Sequence, residues 1–109
     1  MDGDVRGQLV ILSRRSRACV LGCPRDWRPQ QVKNPTTGDW LTERGAWHFI
    51  ADLLEAGHPA DTKALTDHPG KTAFVLIVPV GGGTPDIYIK IRLGSGQVIG
   101  LSFHYSEYY

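Results

Sequence analysis

The 109-residue sequence lacks most of the features that identify a function class directly. Its formal net charge is only +1, so the overall charge gives no argument for nucleic-acid binding. No apolar run approaches the roughly 20 residues that span a bilayer, and the polar start Met-Asp-Gly-Asp-Val is unlike a signal peptide. These absences predict a cytoplasmic protein that does not enter a membrane, and the length predicts one domain.

Cysteine and other ligands for metals or cofactors are scarce as well. Only Cys19 and Cys23 occur, and although one disulfide is possible, a domain of this size does not need it. A zinc site would need two further ligands from the four histidines, and no two of these have finger-like spacing. Gly81-Gly-Gly83 lacks the following Lys-Ser/Thr of a phosphate-binding loop. We therefore expect no metal and no cofactor.

The chain divides by its patterning into an N-terminal arm, residues 1–41, and a strongly patterned remainder, residues 42–109, of the same single domain. Within the arm, 8–13 and 18–23 are short apolar runs that could pair as a hairpin of strands. The arm also carries six basic residues against one acid over 14–33. Such a segment suits phosphate contacts or an ordinary solvated surface equally well.

One amphipathic helix is predicted directly after the arm. Thr42 suits the N-cap position, and Glu43 lies in the first turn, where a negative charge favours the helix dipole. Apolar residues then recur at helical spacing as far as Leu54. Gly57 and Pro59 follow in the order typical of a helix C-terminus. The broad apolar stripe of this helix requires a sheet to cover it.

The rest of the chain predicts that sheet. Residues 72–79 are almost continuously apolar, which is typical of a central strand, and a short edge strand is expected around 62–66. Residues 86–105 predict two antiparallel strands joined by a turn at 94–96. The expected fold is therefore α+β, with one main amphipathic helix packed on an antiparallel sheet of three to five strands.

The two strands of this hairpin present faces of opposite character, because side chains alternate along a strand. The face expected to be buried carries Ile87, Ile89, Ile91, Leu93, Ile99, Leu101, Phe103 and Tyr105. The opposite face carries Tyr88, Lys90, Arg92, Val98, Gly100, Ser102 and His104. A three-residue turn sets Tyr88 opposite Ser102, and a loop two residues longer sets Tyr88 opposite His104. Either register brings a phenol, an imidazole and two cations within reach of one another.

Two segments of the hairpin carry a resemblance to a known family. Ile87-Tyr-Ile-Lys-Ile91 and Leu101-Ser-Phe-His104 resemble the Val-Tyr-Leu-Lys and Ser-Phe-Lys strands of the motility quorum-sensing regulator (MqsR) toxins. These belong with the small bacterial ribonuclease toxins of the RelE and MqsR type. The resemblance implies a RelE-like two-layer fold over about residues 42 to 106. It also implies RNA-cleaving roles for Tyr88 and His104. The family's terminal lysine is His104 here, and Lys71 is the nearest candidate for its other catalytic lysine.

The residue types on this strand face suit metal-independent RNA cleavage. Such cleavage needs the 2′-hydroxyl deprotonated, the phosphorane stabilised and the 5′-oxygen protonated. His104 suits either proton transfer, while Lys90 and Arg92 suit the phosphate. Tyr88 can stack on a base or donate a hydrogen bond to phosphate. The predicted catalytic residues are His104, Tyr88, Lys90 and Arg92, and the predicted substrate-binding residues are Lys71, Ser102 and Tyr105.

The resemblance, with these residue types, therefore implies a small toxin of a toxin–antitoxin system, an endoribonuclease that cleaves messenger RNA by acid–base catalysis. Its expected partners are RNA and a protein antitoxin. The alternative is a non-enzymatic module that binds protein or nucleic acid, since polar residues alternate along one face of any half-exposed antiparallel sheet. Such a module would bind its partner through this face of the sheet or through the arginine-rich N-terminal arm.

Overall fold

The computed structural model of the chain describes residues 1, 3–15, 17–22, 24–65 and 70–106. They form two layers, with two α-helices packed on one face of a five-stranded sheet. The predicted two-layer α+β class is confirmed. The helices are α1 (Gly3–Arg14) and α2 (Glu43–Glu55), the strands are β1 (Ala18–Cys19), β2 (Asp61–Ala64), β3 (Thr72–Val78), β4 (Ile87–Leu93) and β5 (Val98–Tyr105), and a short 3₁₀ helix spans Pro29–Gln31. No helix in these ranges is long and apolar enough to cross a membrane.

Helix α2 begins and ends where its sequence predicts. The Thr42 side chain caps the helix by accepting a hydrogen bond of 2.9 Å from the Gly45 amide. At the other end the His58 amide donates to the Leu53 carbonyl, and Gly57 has a positive φ of 82°. The buried residues of α2 are Ala46, Trp47, Ile50, Ala51 and Leu54, and all of these except Ala51 belong to the core shared with the sheet.

The N-terminal hairpin prediction is wrong, because residues 8–13 lie in helix α1 rather than in a strand. The apolar residues that suggested a strand also recur at helical spacing. Leu9 is fully buried in the core, and Val5 and Leu12 pack against the same core. The chance to bury this stripe against α2 outweighs the β preference of a short β-branched run. The sheet therefore carries two helices where one main helix was expected.

Two arginines of α1, Arg6 and Arg14, bind groups at the C-terminal end of α2 and so connect the two helices. The Arg6 guanidinium donates to the carbonyls of Leu54 and His58, both at 3.0 Å, at the C-terminal end of α2. Arg14 lies 2.9 Å from Asp52 and 3.3 Å from Glu55. The hydrogen bond to Asp52 raises the pKa of Arg14 above its ordinary value. Part of the arginine excess in the arm is thus structural.

The sheet has the strand order β1-β5-β4-β3-β2. Strands β2 to β5 pair antiparallel, as predicted, and β2 lies at the expected edge. Strand β1 pairs parallel with β5, so the sheet is mixed rather than wholly antiparallel. Among the described residues of the second predicted arm strand, 18–22 of 18–23, only Ala18–Cys19 is a strand. Cys23 lies outside the described residues, as do the predicted strand end at Thr66 and the loop histidine His68.

The pairing of β4 with β5 contains an irregularity that the sequence did not predict. Tyr88 lies opposite His104, one of the two predicted registers, but Ile91 lies opposite Gly100. Leu101 is therefore an extra residue in β5, a β-bulge that shifts the alternation of side chains. Beyond the bulge Phe103 and Tyr105 lie on the helix-facing side with Val98 and Gly100, whereas Ile99 lies on the opposite side with Ser102 and His104. The predicted grouping of Val98, Gly100, Ile99 and Leu101 was wrong for this reason.

The bulge brings Gly100 beneath a large aromatic ring. A Cβ atom at Gly100 would lie between 2.5 and 2.8 Å from three ring atoms of Trp27, so a side chain does not fit there. Trp27 in turn packs on Trp47 and Phe103, with ring centroids 5.0 and 5.6 Å apart. Its indole N–H donates to Glu43 of α2 at 2.8 Å. These contacts join the segment before the 3₁₀ helix to both layers of the fold.

Candidate functional site

The sheet surface turned away from the helices, here called the outer face, contains a cleft of about 400 Å³. We call it the His104 cleft. Strands β4 and β5 form its floor, and the chain segment that runs beside β5 forms a wall. Its lining residues are Arg25, Asp26, Arg28, Tyr88, Lys90, Ser102, His104 and Ser106.

The floor of the His104 cleft follows from the strand register. Tyr88 lies opposite His104 and Lys90 lies opposite Ser102, so all four side chains share the outer face. The Tyr88 and His104 rings stack with their centroids 5.5 Å apart and an interplanar angle of 24°. The two half-buried rings therefore form a continuous aromatic surface across the two strands.

A backbone contact fixes the protonation pattern of the imidazole. The Nδ1 atom of His104 lies 2.8 Å from the carbonyl oxygen of Tyr105. A carbonyl oxygen can only accept a hydrogen bond, so Nδ1 carries the proton that it donates. In the neutral ring, Nε2 then holds the lone pair. The geometry thus leaves Nε2 as the nitrogen that can accept a proton from a bound molecule.

The wall of the cleft comes from the N-terminal arm, which was not predicted to belong to the site. The Phe103 amide donates to the Asp26 carbonyl at 2.8 Å, and the Arg28 amide donates to the Phe103 carbonyl at 2.9 Å. This pairing makes residues 26–28 a short strand-like segment along the edge of β5. Since side chains alternate, Trp27 points to the core, and Asp26 and Arg28 line the cleft.

The sequence contains a pattern that could have predicted this wall, but the prolines on either side of it indicated coil. Arg25-Asp-Trp-Arg28 has a single large apolar residue between polar neighbours, which is compatible with a strand lying on a core. The flanking prolines at 24 and 29 indicated coil instead. A parallel bridge between Trp27 and Phe103 is a contact between segments far apart in the chain. Local patterns do not predict such contacts.

The charges around the cleft favour an anionic ligand. Arg25, Arg28 and Lys90 supply three positive groups among its described lining residues, and Asp26 supplies the single carboxylate. The Asp26 carboxylate lies 3.8 Å from Nε of Arg25, and both side chains are largely exposed. A wide, weak ion pair of this kind is easily replaced by a phosphate.

The structure separates the predicted site residues into three groups. Tyr88, Lys90, Ser102 and His104 come together in the His104 cleft. Arg92 and Lys71 line a different hollow near the β4–β5 turn. Tyr105 lies on the helix-facing side of the sheet, where its hydroxyl accepts a hydrogen bond of 3.0 Å from the Lys33 amide. The arginines that line the cleft with His104 are thus Arg25 and Arg28, whereas Arg92 lines the other hollow.

The other described histidines have different surroundings. The His58 ring donates through Nε2–H to the Ile77 carbonyl at 2.8 Å and so braces the loop after α2. His48 lines a separate cleft between the two helices. Across the described residues, no three side chains of the His, Cys, Asp and Glu types are placed to hold one metal ion.

No protein-family model, no curated protein and no solved structure matches this chain.

Proposed function

We propose that this chain is a metal-independent endoribonuclease that cleaves messenger RNA as the toxin of a toxin–antitoxin system. The observation that carries the proposal is the His104 imidazole, stacked on Tyr88 inside a cleft with three cationic groups. The resemblance of the β4 and β5 segments to RelE- and MqsR-type toxins supports the same reaction.

The reaction begins with the RNA 2′-hydroxyl. Nε2 of His104 takes its proton, because the Tyr105 carbonyl holds the other ring nitrogen in its protonated form. The 2′-oxygen attacks the adjacent phosphorus, and the bond to the 5′-oxygen breaks. The products are a 2′,3′-cyclic phosphate and a 5′-hydroxyl. Arg28 and Lys90 line the cleft where the additional phosphate charge develops, and they stabilise it.

The leaving 5′-oxygen needs a proton, and two side chains in the cleft can donate one. The Lys90 ammonium and the Tyr88 hydroxyl both line the same space as His104. Tyr88 has a second use, because its ring and that of His104 offer a surface on which an unpaired base stacks. Bases in a duplex are already stacked and paired, so this surface favours single-stranded RNA.

The decisive test is cleavage of a single-stranded RNA by the purified protein and its variants. We expect His104→Ala to lower the cleavage rate by about 10²- to 10⁴-fold, the usual contribution of a general acid or base. His48→Ala is the matched control, since His48 lies in a separate cleft and should retain full activity. Undiminished cleavage by folded His104→Ala protein would overturn the mechanism.

A pair of Tyr88 variants separates its two roles. Tyr88→Phe keeps the ring that stacks on His104 but removes the hydroxyl, whereas Tyr88→Ala removes both. If the hydroxyl is the proton donor, both variants lose activity. If Lys90 is the donor, Tyr88→Phe stays active and only Tyr88→Ala weakens RNA binding.

The protein antitoxin is proposed as a cover for the same outer face. Beside the stacked rings, Ile77 lies directly opposite Tyr88 on β3 and is 48% exposed. A large exposed aliphatic side chain next to an aromatic pair is the kind of surface that a protein partner buries. We expect expression in bacteria to arrest growth, His104→Ala to abolish the arrest, and a small gene adjacent to this one to relieve it.

A non-enzymatic binding module is the second candidate, and one observation favours it. Trp40 is 61% exposed, and the Lys33 ammonium lies 4.9 Å from its ring. The loop that carries it is held by hydrogen bonds between Asn34 and Asp39 and between Asn34 and Gly38. A rigid loop with an exposed tryptophan suits a protein interface. Normal growth at high expression, without RNA cleavage, would favour this function.

A further inference from the structure

A second hollow, of about 560 Å³, lies at the turn end of the sheet and is here called the Arg92 hollow. It combines two cations, Arg92 and Lys71, with an apolar wall. No carboxylate is among its described lining residues, and Leu21 and Phe74 belong to its apolar wall. Cations beside apolar surface, without an acid to balance them, favour a ligand that is both anionic and apolar.

The Arg92 hollow meets the outer face at the turn end of β4, because Arg92 and Ile99 lie on that face, whereas Val5, Phe74 and Leu93 of its lining pack with the helix-facing core. Tyr88, Lys90 and Arg92 are alternate residues of β4, so their side chains share the outer face in one row. Tyr88 and Lys90 line the cleft, and Arg92 lines the hollow. At a strand rise of about 3.3 Å per residue, Tyr88 and Arg92 are about 13 Å apart along β4. Lys90 lies between them, so positive charge is continuous along the row.

We propose that the Arg92 hollow is a second subsite for single-stranded RNA, which binds a nucleotide beyond those in the His104 cleft. This inference rests on the proposed function, because it takes RNA as the ligand. Arg92 and Lys71 contact a phosphate of this nucleotide. Its base packs on the apolar wall, where Leu21 is 56% exposed and available for contact.

The polar residues at the hollow add the means to recognise a base. Gln97 supplies an amide with both donors and an acceptor, and Ser95 supplies a hydroxyl. Both follow β4 directly, in the turn before β5. RNA is read at unpaired bases by groups of this kind, with cations on the adjacent backbone. The subsite therefore gives the enzyme a preference for particular RNA sequences as well as for longer RNA strands.

The spacing of the two sites predicts how the affinity for single-stranded RNA depends on the number of nucleotides in the RNA. A stacked strand advances about 3.4 Å per nucleotide, so about 13 Å corresponds to about four nucleotides, or fewer in an extended strand. A dinucleotide therefore reaches only one site, and an octanucleotide reaches both. One additional stacked base with its phosphate contact strengthens binding by about tenfold or more.

The test uses fluorescein-labelled 2′-O-methyl oligoribonucleotides of two and eight nucleotides, which cannot be cleaved because the 2′-oxygen is blocked. Dissociation constants are measured by fluorescence anisotropy for wild type, Arg92→Ala and Lys71→Ala. We expect wild type to bind the octamer at least about tenfold more tightly than the dimer. Each variant should lose most of this gain in affinity. The slope of log binding constant against log salt concentration should become shallower by about 0.7 for each lost phosphate contact.

Two control variants match the removed cations. Arg44→Ala removes an exposed arginine of α2, and Lys63→Ala removes an exposed lysine of β2 outside the hollow. Both should keep the full gain from dimer to octamer. Arg92→Lys retains the charge and should recover part of the affinity, which a purely structural role of Arg92 would not predict. The thermal unfolding midpoint of each variant checks that it folds.

The outcomes separate this inference from the proposed function. If Arg92→Ala retains the length gain, the subsite is overturned while the cleavage proposal stands. If the variant weakens dimer and octamer equally, Arg92 acts at the cleft itself and the separate subsite is again overturned. If wild type fails to cleave RNA but shows an Arg92-dependent length gain, the subsite is supported and the endoribonuclease proposal fails.

Discussion

The two faces of the sheet are built from alternate residues of the same strands, yet they serve different purposes. Toward the helices, the strand side chains of the core are almost completely buried: Leu76, Ile87, Ile89, Ile91, Val98 and Phe103 have no exposed surface. On the outer face Tyr88, Lys90, Arg92 and His104 are each half-buried. Burial of apolar surface stabilises the first face, whereas the second keeps polar groups accessible. Stability and chemistry should therefore respond to different substitutions.

The bulge at Leu101 is what keeps the two faces distinct along β5. Without an extra residue, strict alternation would bring Val98 and Ser102 to the same face. With it, Val98 and Phe103 both reach the core while Ser102 and His104 reach the cleft. The faces thus stay separate because the one-residue mismatch between β4 and β5 is taken up at Leu101.

The largest effect is expected from changing that mismatch. Deletion of Leu101 removes the surplus residue and restores regular pairing without moving any other side chain to the opposite face. Deletion of Lys90 raises the mismatch to two residues and turns the fully buried Ile91 outward. We expect the Lys90 deletion to abolish the cooperative unfolding transition in a urea titration followed by tryptophan fluorescence.

The Leu101 deletion should remain folded in the same titration, with a free energy of unfolding lowered by about 1 to 3 kcal/mol for the lost side-chain packing. If both deletions fold equally well, β5 can slip against β4, and the bulge does not set the faces. If neither folds, the bulge has a structural use beyond register.

A smaller but cleaner contrast comes from two neighbouring residues of β5. Phe103 is fully buried and contacts the Trp27 and Phe49 rings, whereas His104 is half-buried on the outer face. We expect Phe103→Ala to lower the free energy of unfolding by about 3 to 5 kcal/mol. His104→Ala should change it by less than about 1 kcal/mol while abolishing RNA cleavage. Equal destabilisation by the two variants would mean that the outer face is part of the core.

Local patterns predicted the elements after residue 42 because each contains its own signal. Thr42 and Gly57 mark the ends of α2, and alternation over residues 87–93 marks β4 and its two faces. The juxtaposition of Tyr88 and His104 followed from the same alternation once the strands were paired. For these residues, local preference and tertiary contact favour the same structure.

The arm was predicted poorly because its structure depends on distant contacts. Residues 8–13 satisfy a strand pattern and a helix pattern, and only the packing of Leu9 on α2 decides between them. Arg28 reaches the cleft because its amide pairs with Phe103, which is 75 positions away (103 − 28). The bulge likewise places Gly100 beneath the Trp27 ring, a contact that no single-strand pattern contains.

The contact between Trp27 and Gly100 gives the last prediction, which has the smallest expected effect and concerns both faces of the sheet. A methyl group at Gly100 would lie as close as 2.5 Å to the Trp27 ring, so Gly100→Ala must displace the tryptophan. We expect the free energy of unfolding to fall by about 1 to 3 kcal/mol, the usual cost of overpacking. Because Asp26 and Arg28 flank Trp27 and pair with Phe103, the cleft wall should move with the ring, and RNA cleavage should slow as well.

The matched control is Gly7→Ala in α1, where an added methyl group meets no atom within 4 Å. This change should raise the free energy of unfolding by about 0.5 to 1 kcal/mol, because alanine favours the helix, and it should leave cleavage unchanged. Urea titrations and initial cleavage rates of both variants make the comparison. Full activity in Gly100→Ala, despite its lower stability, would mean that the position of Trp27 does not set the position of Arg28.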